Sequence, residues 1–175
     1  MNAILTKKLL DKYPEIFPSD FGFEHKDGWY WLIDKLCEYL QFEIDHNNMN
    51  QVKAVQVKQK FSGLRFYYDQ IENEQPTGRY EPDERATGAV RLAERMSASI
   101  CEHCGVIGAK RHEINCWMTT ICNRCLAARS LPSPNEMEDL DPEIVESVNK
   151  HFWSLVGEDD TEYEQLELFK KGKPK

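Results

Sequence analysis

The chain has 175 residues, 41% of them apolar, and 22 Lys and Arg against 30 Asp and Glu give a net charge of −8. That length suits one domain or a domain with an appendage, and 8 Phe, 7 Tyr and 4 Trp allow a packed core, which excludes a disordered chain. No stretch has the length of a transmembrane helix, and Lys7 and Lys8 break the apolar run near Met1, so neither a membrane span nor a secretory leader is expected. A soluble, cytoplasmic setting with reduced thiols is the expectation.

The acidity is not evenly spread. Residues 131–175 hold 12 acidic and 5 basic side chains, a net of −7, whereas residues 1–130 hold 18 and 17, a net of −1. A nearly neutral body neither demands nor excludes nucleic acid.

In chain order, Ile4, Leu5, Leu9 and Leu10 predict a short helix over residues 2–12, closed before Pro14. A loop with Pro18, Gly22 and Gly28 leads to a stronger helix, with Asp27 as its expected N-cap. Trp29, Leu32, Ile33, Leu36, Cys37 and Leu40 form its apolar stripe, on which Cys37 is a buried small hydrophobe. From Gln51 the period changes to two. Val52–Phe61 and Leu64–Tyr68 read as strands joined at Ser62-Gly63, with Phe61 expected opposite Leu64 and Val57 opposite Tyr68. Lys60 would then face Arg65, and Lys58 would face Tyr67. Lys58, Lys60, Arg65 and Tyr67 together make a candidate phosphate-and-base platform, the alternative being a solvated face balanced by Asp69 and Glu72. After a loop with Pro76, Gly78 and Pro82, a helix is expected from Asp83 to Ser99 with Ala86, Ala89, Val90, Ala93, Met96 and Ile100 buried.

That helix runs into Cys101-Glu102-His103-Cys104-Gly105, and after seventeen residues between Cys104 and Cys122 comes Cys122-Asn123-Arg124-Cys125. Two such pairs at this separation are a zinc signature: each tight knuckle aims two sulfurs at one ion, and the second pair closes the tetrahedron. Cys101, Cys104, Cys122 and Cys125 are therefore the expected ligands of one structural Zn2+, with no open position for water. A disulfide framework, four buried thiols, or His103 replacing one cysteine are the alternatives. Trp117–Ile121 reads as a strand between the knuckles, and Leu126–Arg129 as helical. Knuckle, hairpin and a second knuckle opening a helix resemble the treble-clef type of zinc finger over about 25 residues, which implies a scaffold without fixing a function.

Arg111-His112-Glu113 lies near the position where HNH-type nucleases carry a catalytic histidine. Those enzymes need a further asparagine and histidine, but Leu126, Ala127 and Ala128 follow Cys125, which argues against cleavage chemistry. The zinc-deaminase pattern, a Gly-rich phosphate loop and a serine elbow are absent.

Pro132, Pro134 and the acidic run from Glu136 to Asp141 mark a linker. Asp141-Pro142-Glu143 then starts a helix expected over 142–156, with Ile144, Val145, Val148, Phe152 and Leu155 on one face, folded back on the body or docked on a partner. Val57-Lys58-Gln59-Lys60-Phe61-Ser62-Gly63-Leu64-Arg65-Phe66-Tyr67-Tyr68, followed by a helix into Cys101-x-x-Cys-Gly, resembles phage and prophage proteins over residues 5–126. This resemblance implies a phage or bacterial origin and carries no activity.

Near the end, Gln165-Leu166-Glu167-Leu168-Phe169 precedes a basic tail. It resembles the Gln-Leu-x-Leu-Phe peptide by which bacterial replication and repair proteins bind the DNA sliding clamp. Leu168 and Phe169 would be the apolar anchors and Gln165 the hydrogen-bonding contact, with Leu166 also among the partner-binding residues; the alternative is a final strand or helical turn packed on the body, with Leu166 and Phe169 buried. The expected architecture is α+β: helices flanking a β-hairpin or small antiparallel sheet, a treble-clef-like zinc unit at 100–130 within a body of 1–130, and an acidic extension at 131–175. The expected function is a non-enzymatic adaptor or inhibitor docked on the clamp or another host protein. Nucleic-acid binding through the basic hairpin is the alternative class.

Overall fold

The computed structural model describes residues 1–71 and 83–129, together with Glu143 and Glu146. The chain divides into two compact units, Met1–Cys122 and Asn123–Lys175. The architecture is α+β, and no helix among the described residues is long and apolar enough to cross a membrane.

In the first unit, helix α1 spans Ala3–Lys12, and Asn2 caps it by accepting from the Leu5 amide at 2.9 Å. Strand β1 is only Phe23–Glu24; a 3-10 turn at Asp27–Trp29 leads into α2, Tyr30–His46. Asp27 does not cap this helix as expected. Its carboxylate is taken by Asn2, accepting from the backbone amide at 2.7 Å and from Nδ2 at 2.8 Å, so it ties the α2 entrance to α1. The expected stripe of α2 is buried as read, with Trp29, Ile33, Cys37 and Leu40 fully enclosed.

Strands β2, Gln51–Lys60, and β3, Gly63–Ile71, form an antiparallel hairpin, and β1 pairs in parallel on the other side of β2. The sheet is thus mixed, not purely antiparallel. A parallel pair needs a crossover, which α2 supplies between β1 and β2. The hairpin register also differs from the expected one. The turn is Phe61-Ser62, with φ of 51° and 67°, so Lys60 pairs with Gly63, Gln59 with Leu64, Lys58 with Arg65 and Val57 with Phe66. Two left-handed residues are what a type I′ turn requires. Gly63 stays in the strand, where a Cβ would lie 3.3 Å from Arg65 Nη1 and at ordinary contact distance, 3.7 Å, from Ser97 Oγ. A bulge between Ala54 and Gln56 leaves Val55 outside and lets Val52 and Ala54 share the buried face with Val57, Leu64 and Phe66.

Helix α3, Glu84–Ser97, starts at the Asp83 cap and covers the outer edge of β3. Glu94 accepts from the Phe66 amide at 3.1 Å and Ser97 Oγ from the Leu64 amide at 2.9 Å, so side chains satisfy strand amides that no further strand pairs. Arg85 reaches Glu43 of α2 at 2.8 Å. Met96, expected in the core, is 41% exposed; the buried positions are Ala86, Val90, Ala93 and Ser97, and the stripe passes it by. Strands β4, Lys110–Ile114, and β5, Trp117–Ile121, form a second hairpin whose turn, Asn115-Cys116, is again left-handed at both residues. In the second unit, α4 spans Asn123–Arg129, and Glu143 and Glu146 are helical and exposed.

Candidate metal centre

Cys101 follows directly from the Ile100 bridge to Ile107, and a tight turn carries the chain through Cys104 to Gly105 at φ 81°. Cys122 follows β5, and Cys125 lies in α4. Their four sulfurs all lie within 4.8 Å of one another, and they are the group of three or more His, Cys, Asp or Glu among the described residues able to hold a metal ion. The Cys104 and Cys122 sulfurs are 3.7 Å apart, far beyond a disulfide bond of about 2.05 Å. Four sulfurs at about 2.3 Å from one ion would stand about 3.8 Å apart along each tetrahedral edge. The donor set therefore fits a four-coordinate metal. The Cys122 amide, 3.4 Å from Cys101 Sγ, adds an N–H···S contact that favours a thiolate there.

The first knuckle is seated on the backbone of the body. Gly28 donates its amide to the Glu102 carbonyl at 2.8 Å, and Trp29 Nε1 donates to the Ile100 carbonyl at 3.0 Å. A Cβ on Gly28 would lie 2.1 Å from the Cys101 oxygen, 2.5 Å from the Gly105 nitrogen and 2.8 Å from the Cys104 nitrogen, so only glycine permits this approach. Glu102, between the two cysteines, is buried and holds three segments together. Its carboxylate accepts from the Lys26 amide at 3.2 Å and from Thr119 Oγ1 at 3.0 Å, while its own amide donates to the Thr120 carbonyl at 2.9 Å. Two further contacts join the hairpins: Thr120 Oγ1 donates to the Ser62 carbonyl at 2.7 Å, and Gln59 Nε2 donates to the Met118 carbonyl. Neither Gly28 nor Glu102 carried a signal in the sequence. A glycine before a helix reads as a turn residue, and a glutamate inside a knuckle reads as solvated.

On the basic hairpin face, Lys58 stands directly opposite Arg65, not Tyr67, and Lys60 opposes Gly63. Lys58 Nζ sits 5.6 Å from the Tyr67 ring centre, Arg65 lies 4.0 Å from Glu94, and Glu24 is the parallel partner of Lys58. Among the described residues, Glu24 and Glu94 are acidic neighbours of Lys58 and Arg65, while Asp69 pairs with Lys53; Glu72 lies outside the described residues. Phe61 in the turn is 72% exposed. His112 pairs with Thr119 across the second hairpin, and its Nε2 is buried without a hydrogen-bond partner. The residues of the terminal peptide, Gln165, Leu166, Leu168 and Phe169, and the helix expected over 142–156, apart from Glu143 and Glu146, lie outside the described residues. No family model, curated protein or solved structure matches the chain.

Proposed function

We propose that Cys101, Cys104, Cys122 and Cys125 hold one structural zinc ion, and that the protein is a non-enzymatic adaptor of phage or bacterial origin that docks on a host protein. The observation that carries the first part is the mutual approach of four sulfurs within 4.8 Å. Soft thiolates favour zinc among the abundant divalent ions, and a complete sulfur set leaves no coordination site for substrate. The metal then acts as a staple between knuckles that have little core of their own. The peptide Gln165–Phe169 supports the bacterial DNA sliding clamp as the docking partner: two adjacent apolar anchors, preceded by a glutamine, suit a groove with a polar second pocket. Capture of the chain by purified clamp tests this reading, with loss of capture expected on deletion of 165–169 and retention overturning it.

A second reading is favoured by Lys58 standing opposite Arg65 beside the half-exposed Tyr67. Like charges in direct opposition suit an anion laid across them, and the ring offers a stacking surface for a base. This nucleic-acid reading expects salt-sensitive retention on DNA or RNA, weakened by Lys60→Ala and Arg65→Ala. A divergent nuclease has the least support, because His112 is not among the metal-capable group found in the described residues; metal-dependent cleavage lost in His112→Ala would revive it.

A further inference from the structure

The outward face of α2 carries an aromatic strip that the core does not use. Trp31 is 59% exposed and Phe42 53%, with Tyr39 beside them at 41%. Lys35 and Glu38 lie between Trp31 and Phe42 and pair with each other, each about half exposed. At 100° per residue, positions 31, 35, 38 and 42 fall within a strip about 60° wide. Solvated helix faces are normally charged, and two large rings in line with one ion pair are not what solvation alone selects.

The order of these residues is self-complementary. Positions 31 and 42, and positions 35 and 38, are each symmetric about the midpoint between Leu36 and Cys37. An antiparallel helix pair with its two-fold axis there would set Trp31 against Phe42 of the second copy, and Lys35 against Glu38 of the second copy. Each contact would occur twice, as an isologous interface requires. The intrachain Lys35–Glu38 pair would be exchanged for two interchain pairs, so no charge would be left alone. Phe42 is braced for such a contact by the His46 ring, stacked on it at 4.6 Å.

We infer that α2 is a homodimerisation face and that its occupant is a second copy of this chain. One helix pair is small beside the standard interface of about 1,600 Å2, so the expected dissociation constant is on the order of micromolar to tens of micromolar. Sedimentation equilibrium of the full chain over roughly three decades of concentration should show the mass rising from 20.5 kDa toward twice that value. Phe42→Glu should weaken association at least about tenfold. Lys35→Glu alone and Glu38→Lys alone should each weaken it, and the double exchange should restore it to within about threefold of the starting value, circular dichroism confirming unchanged helicity in every variant. A mass fixed at one chain throughout overturns the inference. So does association indifferent to Phe42→Glu, or a double exchange as weak as the singles.

Discussion

A methyl group placed on Gly28 would have to share space with the backbones of Cys101, Cys104 and Gly105, the nearest atom only 2.1 Å away. Backbone cannot swing aside as a side chain can, so Gly28→Ala must push the first knuckle off its seat. A loss of about 3 kcal/mol or more is expected. Thermal unfolding should show it together with a fall in bound metal per chain, whereas Gly22→Ala, with nothing near its Cβ, should change neither. His25 makes a different prediction. It is buried beside Phe23 and Trp29, its Nδ1 lies 2.7 Å from the Lys26 carbonyl, and Nε2 has no hydrogen-bond partner. Burial, with a smaller push from the Met1 ammonium, outweighs the Lys26 carbonyl and pulls its pKa from 6.5 down to about 4. Between those values the unfolded chain binds the proton and the folded one does not, so stability rises with pH. The contribution is full above pH 6.5 and is lost as the pH falls toward 4, on the order of 3 kcal/mol in all. Denaturant titrations across that window should lose most of this slope in His25→Gln; an unchanged slope would assign it to other groups.

At the scale of elements, the two left-handed turns set the hairpin registers, and one of them is improvable. Phe61 occupies φ 51° with its ring 72% exposed, a conformation that asparagine adopts more readily. Phe61→Asn should therefore stabilise the chain by about 0.5–1 kcal/mol in chemical denaturation. If the same variant loses nucleic-acid retention, the exposed ring is there for contact and not for folding. Periodicity made the apolar stripe of α2 and the strands on either side of the first turn legible, because burial of Trp29, Ile33, Cys37 and Leu40, or of Val52 and Ala54 and of Leu64 and Phe66, repeats at 3.6 or 2 residues. The register was not legible. Gly63 invites a turn by its chemistry, but its place against Ser97 of α3 is a tertiary fact. The same holds for Asp27, whose cap chemistry was recognised but whose partner, Asn2, lies 25 residues away. The cysteine quartet was legible because ligand spacing is local within each knuckle. Its anchoring by Glu102 and Gly28 was not, since neither depends on spacing. The parallel strand β1, two residues long, gives no period to read.

At the scale of the whole molecule, charge and spacing along the sequence separate the cysteine-bearing body from the peptide proposed to do the recognising. Residues 131–175 carry a net charge of −7 against −1 for the rest, and 39 residues lie between Cys125 and Gln165. A linear peptide recognised through two or three apolar anchors does not require a distant metal, whereas a folded docking surface on the knuckles does. The proposal therefore makes the two perturbations independent. Removing the metal with a strong chelator should collapse the knuckle unit, seen as lost near-ultraviolet dichroism and a lower melting temperature, yet leave clamp capture within about threefold of its starting value. Deleting 165–169 should do the reverse, abolishing capture while the melting temperature and metal content stay put. A synthetic peptide of residues 158–175 should compete with the full chain at an affinity within about tenfold of it, the remainder reflecting any contact the body adds. If chelation alone abolishes capture and the peptide does not compete, recognition belongs to the metal-stapled body, and the exposed Phe61 and the basic pair Lys58 and Arg65 become the surface to mutate first.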